Sequence, residues 1–109
     1  AVLAGDTHNA WASTLHDQQG NKVGIELATP SVSSPGIETY LKLNTAQVEQ
    51  LADVLPQLIS ELDYCNLHQR GYLQVAFSKE QIDAQWFFVD DITKAQYQTK
   101  LGHQQSYKL

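Results

Sequence analysis

The chain has 109 residues, a net charge of −5 at pH 7 and a sequence pI of about 5.1. Its length is that of one domain, and its apolar content of 42% is typical of a globular protein rather than a disordered one. The negative balance, without any cluster of Lys or Arg, argues against nonspecific binding to nucleic acid. No apolar run reaches membrane-spanning length, and a single cysteine, Cys65, excludes an intrachain disulfide. Because no cationic side chain neighbours Cys65, we expect a buried apolar residue there rather than a nucleophile.

The first part of the chain is predicted to contain short strands. Ala1–Ala4 is a continuous apolar run, which predicts a short buried strand. Trp11–Asp17 fits either a turn of helix or the edge of a strand. Lys22–Thr29 alternates between apolar and small or polar residues and predicts a strand. Pro30–Gly36 is a serine-rich loop without the spacing of a P-loop, so we expect it to be a structural connection.

The segment Asn44–Leu62 carries the clearest helical pattern. Its apolar residues recur at three- and four-residue spacing and form one stripe. Asn44 and Gln47 stand in the positions of a capping box, which marks the start of the helix. Pro56 lies inside the pattern and predicts either a kink or two abutting helices.

The last third is predicted to add further strands. Gly71–Phe77 and Ala84–Val89 are expected to pair antiparallel through a short turn. Thr93–Leu109 is polar and is expected to form an edge hairpin or a tail. The predicted fold class is therefore α+β, with a few mostly antiparallel strands covered by one long amphipathic helix at about Asn44–Leu62.

The stretch Gly5–Trp11 concentrates the side chains that carry chemistry. Asp6 and His8 are two residues apart, and in an extended strand exit both side chains point the same way. Oxygen and nitrogen donors together suit Zn, Fe or Mn, whereas a carboxylate alone also serves Ca or Mg. A metal site needs three or more protein ligands and this stretch offers two, so a helix start capped by Asp6 or Thr7 is the competing interpretation. Asn9 is a candidate for orienting the His8 imidazole.

Two further residues are candidates for the same site. Trp11 is expected to anchor packing beside the Asp6 and His8 motif. Arg70 follows His68 in a loop before a strand and is chemically suited to bind a phosphate. An arginine in such a loop more often holds the loop through carbonyl groups or a carboxylate, and we favour that structural role.

Four segments together resemble the alkaline phosphatase D family, a branch of the metallophosphoesterases. Gly5–Trp11 resembles its C-terminal metal-binding motif, in which a strand ends in Gly-Asp-x-His before a Trp. Asn21–Gly36 is similar to the next strand and its Ser/Pro/Gly loop. His68–Tyr72 looks like the Arg-Gly-Tyr element, and Ala84–Asp90 looks like the closing Trp-x-Phe-Val-Asp strand. The segments occur in the order of the family and cover nearly all of the chain.

The resemblance implies a metal-dependent phosphatase or phosphodiesterase that hydrolyses phosphate esters. Asp6 and His8 would be metal ligands, and the candidates for supporting those ligands or facing the substrate are Asn9, Trp11 and Arg70. The family implies iron and calcium as cofactors, and the donor atoms also permit Zn or Mn. It also implies a periplasmic or secreted protein. Neither nucleic acid nor a membrane is an expected partner.

The resemblance further implies that residues 1–109 are a single C-terminal segment of a larger metallophosphatase domain, part of an α/β metallophosphoesterase sandwich. The remaining metal ligands of the family lie upstream of the Gly-Asp-x-His motif. We therefore expect the isolated chain to be inactive and an open sheet edge to favour self-association. The alternative is a stand-alone, non-catalytic α+β binding or interaction module.

Overall fold

The computed structural model describes residues 1–109, which form two β-sheets and two helices. The elements, in chain order, are β1 (Val2–Ala4), β2 (Ala10–His16), β3 (Lys22–Ala28), α1 (Ile37–Tyr40), α2 (Thr45–Leu58), β4 (Leu62–Asn66), β5 (Gly71–Phe77), β6 (Gln81–Val89) and β7 (Thr99–Lys108). The first sheet has the strand order β1-β3-β2-β4, and the second has the order β5-β6-β7. β1 and β3 run parallel, and every other neighbouring pair is antiparallel.

The main core lies between the two sheets. Ile25 and Leu27 on β3 and Ala12 on β2 pack against Trp86 and Phe88 on β6. These side chains face inward because successive residues of a strand point to opposite faces of its sheet. The alternation in the sequence correctly predicts β3, and the short turn after Phe77 correctly predicts the antiparallel pairing of β5 with β6.

The predicted fold class, α+β with one long helix covering the strands, is wrong. The protein is mostly β, with 44% of its residues in strands and 17% in helices. α2 ends at Leu58, and Leu62 begins β4 instead of continuing the helix. The apolar stripe misled the prediction because Leu62 fits the helical spacing, although the backbone already becomes extended at Ile59. α2 packs against β4 on the outer face of the first sheet, whereas the sheets cover each other.

Three further sequence predictions concern the burial of β1, the segment after Asp6 and the start of α2. β1 is a strand as predicted, but it is not buried, because it is an edge strand in which Val2 is 48% exposed and Leu3 is 58% exposed. Ala10–His16 is a strand, which excludes a helix starting after Asp6 or Thr7. The capping box of Asn44 and Gln47 is confirmed by its two reciprocal hydrogen bonds of 2.8 and 3.0 Å. Neither helix has the length and apolar character needed to cross a membrane.

Pro56 lies in the last turn of α2 and leaves one helical carbonyl without its usual partner. A proline has no backbone N–H, so it cannot donate to the carbonyl of Ala52. The buried thiol of Cys65 donates to that carbonyl instead, at 3.3 Å. Burial, and secondarily the charge of Asp53, raises the pKa of the Cys65 thiol to about 11, so that the thiol stays protonated and able to donate.

An aromatic cluster joins the two sheets. His103 on β7 stacks on Tyr64 of β4, with ring centroids 3.6 Å apart and an angle of 7° between the ring planes. Trp86 packs at an angle against both rings, at centroid distances of 5.5 Å. Burial lowers the pKa of His103 below its ordinary value of 6.5, and a hydrogen bond to Gln105 offsets part of this effect. The packed cluster therefore favours the neutral imidazole.

The Cys65 hydrogen bond predicts a coupling with Pro56. Cys65→Ala should lower the free energy of unfolding by about 1 kcal/mol, because the Ala52 carbonyl loses its partner. The loss should shrink when Pro56→Ala restores a backbone donor, which a double-mutant cycle by urea unfolding measures. Additive effects of the two substitutions would contradict the assignment of the thiol as a substitute donor.

The His103 stack predicts a pH-dependent stability. In the unfolded chain the imidazole regains its ordinary pKa, so as the pH falls through about 6.5 the unfolded state binds a proton that the folded state resists. The contribution of the neutral His103 ring to the free energy of unfolding is thus complete above a pH of about 6.5 and is lost as the pH falls below that value. His103→Phe should keep the stacking but remove this pH dependence from the free energy of unfolding measured with urea. His16→Gln, at an exposed histidine, should leave the pH dependence in place. Identical pH profiles for His103→Phe and the unsubstituted chain would contradict the prediction.

Candidate metal centre

Three loops meet at one edge of the first sheet. β1 and β3 are parallel, so their carboxyl ends, Ala4 and Ala28, lie side by side. β2 runs the opposite way and begins at this edge with Ala10, next to Asn66 at the end of β4. The loop that carries Asp6 and His8 therefore lies near the segments that follow β3 and β4. Ligand sites of sheets with parallel strands are typically found beyond such carboxyl ends.

Asp6 and His8 are held in a turn rather than in the extended strand exit assumed from the sequence. The φ angles of Asp6 and His8 are 70° and 62°, which places both residues in the left-handed region. The turn is closed by a hydrogen bond of 2.8 Å from the Thr7 amide to the Gly5 carbonyl. Non-glycine residues in this region store backbone strain, and such residues cluster at functional sites. The Asp6 side chain is exposed, whereas His8 is half-buried.

The imidazole of His8 has a defined partner in the loop after β3. Its Nδ1 lies 2.7 Å from the carbonyl oxygen of Pro35. A carbonyl oxygen only accepts hydrogen bonds, so Nδ1 must carry the proton. In the neutral ring Nε2 then keeps a free lone pair. A hydrogen bond from one ring nitrogen to a backbone carbonyl is the usual way in which a metal-binding histidine is oriented.

Asn9 and Trp11 lie beside this turn but do not contact the His8 ring nitrogen. The partner of Nδ1 is the Pro35 carbonyl, not the Asn9 side chain that we considered from the sequence. Asn9 is 4% exposed, and its Oδ1 is buried without a hydrogen-bond partner. Trp11 is half-buried and packs against the apolar cluster under α2, with its Nε1 also buried and unpaired. Both residues stay candidates for contacts with groups outside this chain.

Arg70 is committed to contacts within the protein. The guanidinium is 6% exposed, forms an ion pair with Glu38 and donates through Nη1 to the carbonyl of His68 at 2.8 Å. Burial alone would raise the pKa of Glu38, but the hydrogen bond and charge of Arg70 outweigh it and lower that pKa. These contacts match the loop-holding role. Sequence reasoning missed Glu38, because nothing in the local pattern links it to an arginine 32 residues later.

A polar cavity of about 550 Å³ adjoins this arrangement. Pro35, Glu38, His68 and Arg70 contribute to its wall. Asp90 and Asp91 also line it, but their carboxylates accept hydrogen bonds from their own loop. At least one carboxylate oxygen of each aspartate is therefore engaged within the chain.

The chain carries two candidate metal donors but no complete metal site. No group of three or more His, Cys, Asp or Glu side chains in the chain is arranged to hold a metal ion. Asp6 and His8 offer one oxygen and one nitrogen donor, and the His8 ring is already oriented with Nε2 free. Such a donor set suits iron, zinc or manganese, and the carboxylate alone also suits calcium.

Comparison with known proteins assigns the family. The family model of the PhoD-like phosphatases matches residues 1–86. A solved structure described as "Structure of PhoD" is similar in fold, with a TM-score of 0.75 at 20% sequence identity. The match covers 98% of this chain and 20% of the other, so this chain spans about a fifth of that protein. No curated protein matches the sequence. With nearly four-fifths of its length matched by the family model, the chain belongs to the PhoD-like phosphatase family.

Proposed function

We propose that this chain supplies Asp6 and His8 to the metal centre of a phosphatase or phosphodiesterase that hydrolyses phosphate esters. The observation that carries the proposal is the hydrogen bond between His8 Nδ1 and the Pro35 carbonyl, which leaves Nε2 free at the sheet edge. Family membership supports the reaction class. The exposed carboxylate of Asp6, two residues away, supplies the second donor.

The residues of this chain would act by binding and orienting. His8 would donate its Nε2 lone pair, and Asp6 would contribute a carboxylate oxygen. Metal ions held by these residues would supply polarisation of the phosphoryl oxygens and a lowered pKa of a bound water. Iron and calcium are the proposed ions, with zinc or manganese as further possibilities. Both terminal nitrogens of the Arg70 guanidinium already donate within the chain, to the His68 carbonyl and to Glu38, so we assign Arg70 to holding the loops.

The proposed metal site is incomplete on this chain. Two donors are too few for a working centre, so the other ligands would come from the rest of the phosphatase, which is periplasmic or secreted by family resemblance. The outer edge of β1, with Val2 and Leu3 exposed, offers unpaired backbone groups to another strand. We propose that the isolated chain is inactive and self-associates through this edge.

The proposed ligands predict a severe loss of activity when either is removed from the phosphatase that carries this chain. Asp6→Ala or His8→Ala should each lower kcat/KM for a phosphodiester by at least about 100-fold, because a metal ligand is lost. Asp53→Ala and His16→Ala remove an exposed carboxylate and an exposed imidazole elsewhere and serve as matched controls. Near-normal turnover of the His8→Ala and Asp6→Ala variants would overturn the assignment and favour the non-catalytic module.

The incomplete donor set predicts weak metal binding by the 109 residues alone. Calorimetry with Fe, Mn, Zn and Ca should show weak binding of any ion, and the same samples should not hydrolyse a phosphodiester. Tight binding at one site per chain that is abolished by His8→Ala would show that the chain completes a centre alone or in a dimer. That result would contradict the shared site.

A further inference from the structure

The Glu38–Arg70 ion pair lies at the far end of the loop that orients His8. Arg70 is buried, and the Glu38 side chain is only 17% exposed. Removing one member of a buried pair leaves the other charge uncompensated, so the pair strongly favours one arrangement of the two segments. Those segments are the start of α1, which carries Glu38, and the loop after β4, which carries Arg70.

Gly36 links this ion pair to the loop. A Cβ atom on Gly36 would lie 2.5 Å from Glu38 Oε2 and 3.1 Å from Arg70 Nη1, so its backbone packs directly on the pair. The preceding residue, Pro35, presents the carbonyl that accepts the hydrogen bond from His8 Nδ1. Fixing Gly36 therefore fixes the peptide group that determines the proton position on the imidazole.

The other end of the loop is attached to the same part of the chain. The Gly71 amide donates to the Ser31 carbonyl at 3.0 Å, and the Ser31 hydroxyl donates to the Ser34 carbonyl at 2.7 Å. Arg70 and its neighbour Gly71 thus hold both ends of the segment that carries Pro35. None of these groups is a metal ligand or faces His8 directly.

We propose that Glu38 and Arg70 are positioning residues for His8. By holding Gly36 they keep the Pro35 carbonyl where it selects the imidazole form with the proton on Nδ1 and the lone pair on Nε2. The inference rests on the proposed function, because a metal ion is what gives the free Nε2 its role. The selection itself is a property of the folded chain and is measurable without metal.

The direct test is the proton position on His8, read from the ¹⁵N shifts of its two ring nitrogens. In the metal-free full chain, at a pH at which the imidazole is neutral, the proton should reside on Nδ1. Glu38→Gln should convert this single form into a mixture, because the Arg70 guanidinium loses its charged partner. Glu49→Gln is the matched control, since Glu49 is exposed on α2 and pairs with His68, at 3.7 Å, rather than with Arg70.

The second test is metal affinity in the complete phosphatase. Glu38→Gln should weaken metal binding by about 10-fold, as is typical of groups that support a ligand without touching the metal. Arg70→Lys keeps the positive charge but loses the two terminal guanidinium nitrogens, so it should also weaken metal binding. A circular dichroism spectrum confirms that each variant is folded. Unchanged affinity in a folded Glu38→Gln variant would overturn the inference.

The outcomes separate this inference from the proposed function. If His8→Ala abolishes activity while Glu38→Gln leaves both the proton position and the metal affinity unchanged, only the positioning role fails. If His8→Ala leaves activity intact, the proposed function fails whatever the shifts show. A proton found on Nε2 in the unsubstituted chain overturns the positioning role even if no variant folds.

Discussion

The structure depends on the placement of Trp86 between the two sheets. The indole is fully buried, and its Nε1 donates to the carbonyl of Ala28 at 2.9 Å. Ala28 is the last residue of β3, so this bond fixes the point at which the loop toward Pro35 begins. Leaving a buried indole N–H without a partner would cost free energy of folding. The packing of Trp86 and its hydrogen bond therefore favour the same alignment of the two sheets. The sandwich therefore determines where the loop that carries Pro35 leaves the first sheet.

The residues Arg70 and Gly71 extend this constraint to the site. The Arg70 carbonyl accepts a hydrogen bond of 2.7 Å from the Val89 amide at the end of β6, which joins the loop after β4 to the second sheet. Gly71 packs so closely on β6 that a Cβ atom would lie 1.9 Å from the Phe87 carbonyl oxygen. The resemblance of His68–Tyr72 to the family's Arg-Gly-Tyr element thus has a physical reason. The arginine anchors one loop, and the glycine permits the close contact between strands.

Sequence reasoning succeeded where local pattern determines structure and failed where distant contacts do. Alternation placed β3 and β5, the short turn after β5 placed β6 as its antiparallel partner, and the side-chain chemistry of Asn44 and Gln47 placed the start of α2. The end of α2 was misplaced because Leu62 satisfies the spacing of a helix but is the first residue of β4. The turn conformation of Asp6 and His8 has no periodic signal. The partner of His8 is a backbone carbonyl, which carries no signature in the sequence, so the position of Pro35 required the fold.

Asp6 and His8 differ in how firmly the fold holds their side chains. His8 is half-buried and hydrogen-bonded through one nitrogen, whereas Asp6 is exposed on the same turn. A ring fixed in the required form avoids the cost of reorganisation when the metal arrives. An exposed carboxylate without a hydrogen-bond partner in the chain can still adapt to ions of different size and coordination number. If both residues are ligands as proposed, the fold of this chain fixes the direction of the nitrogen donor and leaves the oxygen donor adjustable. The remaining ligands would then decide which ion is bound.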